Sequence, residues 1–152
     1  MPLFERNAEQ HRRETQTRLN RNQPRDQSVS TELLQGSCHC GTVKFEVRTA
    51  VAPAIRCNCS LCRRKGILMS PSFTEGDLKI LSGEDSLTTF QFNTRVAKHY
   101  FCKHCGVHPF LQTPMGSEFW RVNIGYLEDI DPYPLAAGLV DGASLPVVGA
   151  GA

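Results

Sequence analysis

From Gly36 onward the chain falls into short segments in which apolar and polar residues alternate, most plainly over residues 42–47. Val43, Phe45 and Val47 point one way and Thr42, Lys44 and Glu46 the other. That period of two is the pattern of a strand with one buried face. Residues 54–57, 67–73, 78–81, 87–92, 96–101, 109–112 and 120–124 read as further strands, with Gly76, Gly83, Asn93 and Gly116 marking turns between them. No window between residues 36 and 128 carries a sustained helical period flanked by caps. The expected fold is therefore all-β and mainly antiparallel, its sheets joined by hairpins, and a βαβ redox fold is disfavoured.

The alternation lapses at both ends. Residues 1–33 are rich in Arg, Gln, Asn and Glu, hold no cysteine and offer little to a core. They read as a polar, basic arm, solvated or partner-dependent, with a weak helix over residues 3–22 as the alternative. Residues 34–142 form the expected β domain. After Asp131 the prolines at 132, 134 and 146 and the late glycines predict an irregular wrap, ending in a frayed tail over residues 143–152.

A chain of 152 residues suits one domain with a hydrophobic core. Its 17 lysines and arginines against 15 acidic residues make no concentrated basic patch, so nucleic acid is an unlikely partner. The first sixteen residues are studded with charges and lack the apolar centre of a secretory leader, and no stretch reaches the length of a membrane span. A cytoplasmic protein is expected, away from membranes. Seven cysteines cannot all pair within one chain, and in a reducing compartment they point to metal or catalysis.

Those cysteines fall in three groups: Cys38 and Cys40 in Cys-His-Cys-Gly; Cys57, Cys59 and Cys62 in Cys-Asn-Cys-Ser-Leu-Cys; and Cys102 and Cys105 in Cys-Lys-His-Cys-Gly. A structural zinc takes four ligands, and a catalytic zinc keeps three with one position open. Seven divides as four and three. Gly41 follows Cys40 and Gly106 follows Cys105, as metal-binding turns with a positive φ require. The first and last pairs thus match as halves of a closed centre: Cys38, Cys40, Cys102 and Cys105.

Cys57, Cys59 and Cys62 remain for an open centre, followed by the basic run Arg63-Arg64-Lys65 that could offset its charge or receive a carboxylate. If two-apart cysteines lie on strands, Cys38 with Cys40 and Cys57 with Cys59 each share a face. A histidine among His99, His104 and His108 could close the second centre as a fourth ligand; none is assigned. Buried or redox-active thiols are the alternative to metal. No nucleotide or flavin fingerprint is visible.

Four segments, Gly36-Ser-Cys-His-Cys-Gly41, Cys57-Asn-Cys-Ser-Leu-Cys62-Arg-Arg-Lys-Gly66, His99-Tyr-Phe-Cys-Lys-His-Cys-Gly106 and Val122-Asn123, with Asp141-Gly142 near the end, together resemble the glutathione-dependent formaldehyde-activating enzyme family, which includes the centromere protein V-like domains. The resemblance implies a β-tent fold and two zinc ions, structural on Cys38, Cys40, Cys102 and Cys105 and catalytic on Cys57, Cys59 and Cys62. It also implies addition of glutathione to formaldehyde by a carbon–sulfur lyase. Arg63 and Arg64 are candidates for the glutathione carboxylates, and Asn123 joins the substrate site on the resemblance alone. Tyr126 stands where many members carry a cysteine, and the basic arm lies outside the family core. Two other readings remain open. One is the same zinc chemistry on another thiol or electrophile. The other is a non-catalytic zinc scaffold that binds a protein or nucleic acid through Arg12, Arg13, Arg18, Arg21 and Arg25.

Overall fold

A computed structural model describes residues 30–145. Most of the polar arm, including the weak helix considered over residues 3–22, and tail residues 146–152 lie outside the described residues. In chain order the strands are β1 (Glu32–Ser37), β2 (Lys44–Thr49), β3 (Ala54–Cys57), β4 (Phe73–Thr74), β5 (Leu78–Ser82), β6 (Leu87–Phe90), β7 (Lys98–Cys102), β8 (Phe110–Gln112), β9 (Phe119–Val122) and β10 (Ala137–Val140); among the described residues the α-helix α1 (Ser60–Lys65) follows β3, with short 3-10 turns elsewhere. The architecture is all-β and mainly antiparallel, as the alternation predicts.

Three sheets divide the strands. β1, β2 and β5 form an antiparallel sheet in that order. Its β1–β2 hairpin runs in register from Glu32 opposite Thr49 to Ser37 opposite Lys44. β1 takes in Glu32 and Leu33, the last two residues read as part of the arm. The largest sheet is antiparallel, ordered β4-β9-β8-β7-β6, and the third is a parallel pair, β10 against β3.

Phe45 and Val47 turn fully inward from β2, meeting Phe110, Trp120 and Val122 from the large sheet in the main core. Phe45 meets Phe110 edge-on at 5.4 Å between ring centres, and Tyr100 stacks on Trp120 at 5.3 Å. Offset and edge-to-face rings of this kind add to the burial energy. Only one face of the large sheet is used in this way. Register places His99 opposite Leu111 and Leu111 opposite Arg121 on its other face, which lies against the Cys62 region through Leu111.

Three local expectations are corrected. The helix α1 interrupts a region read as free of helix. Six residues are too few to show a period, and its signals are caps: the Cys59 side chain accepts from the Cys62 N–H, and Gly66 ends it at φ 62° with its N–H on the Cys62 carbonyl. The strand expected over residues 67–73 is reduced to bridges at Met69, which pairs with Ile55 on one side and Asn123 on the other, and to the start of β4 at Phe73. Pro71, lacking an N–H, stands in the gap. Lastly, the stretch after Asp131 contains β10, whose four residues are all exposed and carry no alternation to reveal it.

Candidate metal centres

The first and last cysteine pairs meet. The Sγ atoms of Cys38, Cys40, Cys102 and Cys105 all lie within 4.8 Å of one another, with Cys38 to Cys40 at 3.4 Å and Cys40 to Cys102 at 3.7 Å. A tetrahedron of thiolates about 2.3 Å from a zinc ion sets its sulfurs roughly 3.8 Å apart, so this donor set fits the metal. The two half-sites are built alike. Gly41 donates to the Cys38 carbonyl at 2.9 Å and Gly106 to the Cys102 carbonyl at 2.8 Å, and both glycines hold a positive φ, 76° and 73°. That is the conformation the sequence demanded of them.

The ligands themselves differ from expectation in setting. Cys38 and Cys40 lie in the turn after β1 rather than on a strand, and Cys59 lies at the start of α1, where Cys57 alone ends a strand. Turns let the sulfurs converge on one point, whereas alternate strand positions project in parallel.

Electrostatics divide the labour within the closed centre. Cys38 and Cys102 are buried, and burial pushes the Cys38 thiol up to about 11 despite the Val43 N–H on its sulfur. Cys40 is exposed. The Thr42 hydroxyl and backbone N–H hold its thiol down at about 6, the hydroxyl oxygen lying 3.2 Å from the sulfur. A buried thiol that resists ionisation gains most from a dication.

The middle cysteines form a second group. The sulfurs of Cys57, Cys59 and Cys62 lie within 4.8 Å of one another, and among the described residues no histidine joins them. His104 is turned away, its Nε2 3.2 Å from the Ser86 hydroxyl. Burial opposes ionisation of Cys59, but the Cys62 and Leu61 N–H groups and the neighbouring thiols outweigh it, and the Cys59 thiol falls below its ordinary value. Burial, then the charges of Cys59 and Cys57, pushes Cys62 up. Three soft thiol donors, with no fourth protein ligand among the described residues, suit zinc in an open coordination.

A latch from the far end of the chain holds this group. Asn58 donates from Nδ2 to Asp141 Oδ1 at 2.7 Å, and its Oδ1 accepts from the Ala143 N–H at 2.8 Å. Its own N–H donates to the Val140 carbonyl at 3.2 Å. Gly142 sits between these bonds, so close that a Cβ there would lie 2.6 Å from Cys57 Sγ. The spacing of the cysteines carries no trace of this latch. Its one sequence signal was the Asp141-Gly142 pair.

The basic run is not uniform. Arg63 and Arg64 are exposed, and Arg64 bonds back to the Ser60 carbonyl of its own helix at 2.7 Å. Lys65 is half-buried, and burial lowers its proton affinity while Cys62 raises it. Asn123 is buried; its Oδ1 accepts from the Gly125 N–H at 3.3 Å and its Nδ2 donates to the His108 carbonyl at 3.4 Å.

The family model for the glutathione-dependent formaldehyde-activating enzyme matches residues 33–137, more than half of the chain. The chain belongs to that family. All seven cysteines fall within the formaldehyde-activating match, whereas Asp141 and Gly142 lie past its end and are brought to the second centre by the fold. A relative from Halomonas elongata, provisionally named a glutathione-dependent formaldehyde-activating enzyme, is 31% identical, the alignment covering 51% of this chain and 63% of the relative. This chain thus spans less than two thirds of that relative's length. A crystal structure of a Rhodobacter sphaeroides protein is similar at 39% identity with a TM-score of 0.65, covering 69% of this chain and 97% of that one. Among the described residues no helix is long and apolar enough to cross a membrane.

Proposed function

We propose that this protein is a cytoplasmic carbon–sulfur lyase that adds a thiol, glutathione or a close analogue, to formaldehyde or a related small aldehyde, and catalyses the reverse. The observation that carries the reading is the three-thiol group left open in a member of this family. Cys57, Cys59 and Cys62 would hold a zinc ion, which would supply Lewis acidity and favour a bound thiol as thiolate. Cys38, Cys40, Cys102 and Cys105 would hold a second, structural zinc that would join the turn after β1 to the turn after β7.

In the reaction one carbon–sulfur bond forms and the carbonyl π bond breaks. Its electron pair moves to oxygen, and the proton from the thiol ends there, giving the S-(hydroxymethyl) product without any redox change. The chain's own part is to gather and orient. Arg63, Arg64 and Lys65 give the approach to the centre a positive edge that suits the glutathione carboxylates. Asn123 fixes the backbone beside it through the His108 carbonyl.

Exchange NMR on an equilibrium mixture of glutathione and formaldehyde tests the proposal, with zinc-loaded protein in catalytic amount. Faster interconversion of free and hydroxymethylated glutathione is expected. Cys59→Ser should lose that acceleration while retaining the fold and the closed centre's metal. No acceleration by wild-type protein carrying two zinc ions, or full acceleration by the Cys59→Ser protein, would overturn it.

A further inference from the structure

His99 lies on the face of the large sheet that Leu111 turns toward the three-cysteine group, the His108 ring packs against it, and the proposed reaction uses neither. His99 and His108 are each 4% exposed, with ring centres 5.4 Å apart. Neither Nδ1, nor His108 Nε2, makes a hydrogen bond of ordinary geometry, although the Phe110 backbone is near enough to favour the charged His108 ring weakly. Buried polar nitrogens are seldom left so, and an unpartnered group costs the protein stability unless something else fills its place.

Their position connects them to the cysteines. His99 on β7 is directly opposite Leu111 on β8, so the two side chains leave the sheet on one face. Leu111 packs in one cluster with Cys62, Ile67 and Met69, against which Cys57 and Cys59 also rest. Lys65, three residues after Cys62 on α1, is close enough to act electrostatically on Cys62 and on both imidazoles. Among the described residues the only ion pair is Lys79 with Glu46, so no carboxylate neutralises Lys65 or pairs with either ring.

We propose that His99 and His108 form the hydrogen-bonding wall of the open centre and hold the aldehyde oxygen while the carbon–sulfur bond forms, with His108 as the principal donor. This rests on the reaction proposed above and assigns it a residue beyond the metal ligands. Burial first, then the nearby Lys65 ammonium, keeps both rings neutral, His99 at about 4 and His108 at about 3. Each ring therefore has one N–H to give and one nitrogen to accept. Negative charge develops on the carbonyl oxygen as sulfur attacks. A fixed N–H aimed at that oxygen in a water-poor site stabilises the transition state more than the ground state. The oxygen then takes the proton released by the thiol, and the imidazole returns unchanged. Asn123, by holding the His108 carbonyl, is a positioning residue for this donor.

The test compares His108→Leu with His108→Gln in the zinc-loaded full chain, reading metal content, kcat and KM by exchange NMR. Removing one such donor typically costs about 100-fold in kcat or more. The expected result is that loss in the Leu variant, with two metals retained and KM altered by less than about threefold, and part of the rate restored by Gln, which keeps an N–H. Wild-type kcat in His108→Leu would overturn the proposal. Side-chain 15N shifts of His99 and His108 in the wild-type protein decide the case if the Leu variant fails to fold, or if wild-type protein gives no acceleration and the reaction itself is rejected. Shifts that move with glutathione plus formaldehyde, and stay put with glutathione alone, would uphold the wall as the hydroxymethyl oxygen's binding site. Shifts that move in neither case would reject it.

Discussion

Replacing Gly142 by alanine should weaken metal binding at the three-cysteine centre by about 10–100-fold and leave the four-cysteine centre unchanged. The added Cβ would lie 2.6 Å from Cys57 Sγ and 3.0 Å from Cys59 Cβ. Ordinary contact begins near 3.4 Å, so the sulfur or the backbone must give way by about 0.8 Å. Zinc–thiolate bonds tolerate roughly 0.2 Å. Retreat of the backbone would break the Asn58 bonds on both sides of Gly142, to Asp141 and Ala143, and so loosen the cysteine turn itself. Either way the three-cysteine centre is weakened. Losing the support of a ligand costs about 10–100-fold in metal affinity, or roughly 1.4–2.7 kcal/mol. Competition with a chelator, followed as two separate zinc releases, measures it. One release should shift by that factor and the other stay fixed. Gly138→Ala, four residues earlier on β10, is the control, since its Cβ would meet nothing nearer than the Ala54 carbonyl at 4.0 Å. Wild-type affinity at both centres of the Gly142→Ala protein would refute the idea that this glycine exists to let Cys57 reach the metal.

Phe45→Ala should destabilise the zinc-loaded protein by about 3–5 kcal/mol in chemical denaturation, because the ring is fully buried and meets Phe110 edge-on; a cost below about 1 kcal/mol would mean that the two sheets do not share this core. Acid should destabilise the fold through His99 and His108. Both are held below the ordinary 6.5 in the folded protein, so the unfolded chain takes up protons that the folded one refuses. Stability from this source is complete above pH 6.5 and falls as pH drops from there toward 4. Two such groups give a slope of up to about 2.7 kcal/mol per pH unit. His108→Gln should remove about half of it, and an unchanged slope would place the protons elsewhere.

What the sequence disclosed and what it hid follow from the range of the interactions. Strands with one wet face announce themselves: β3 is found at the residues expected, and β2, β5, β6, β7, β8 and β9 within two residues of the expected bounds. β10 is exposed along its whole length and pairs in parallel with β3 across some eighty residues, so no local pattern marks it. The cysteine partition was legible because it rests on backbone conformation after each pair, where Gly41 and Gly106 leave a signature. The basic run disclosed its charge and not its orientation. Charge alone cannot say which of three consecutive helical residues turns inward, and it is Lys65, beside the less conspicuous histidines, that does.

The two centres also differ in how they are anchored, and the difference bears on their roles. The closed one is gripped by turns whose hydrogen bonds run within each half-site, and Cys38 and Cys102 are buried beneath it with Val43. Such a centre resists displacement of any one ligand. The open one hangs on the end of β3 and the first turn of α1, held by side-chain bonds from Asn58 to a segment more than eighty residues away. A latch made of exposed hydrogen bonds yields at lower energy than a buried core. In the proposed reaction it would leave the three sulfurs room to adjust as a fourth ligand arrives and departs, while the closed centre would stay fixed.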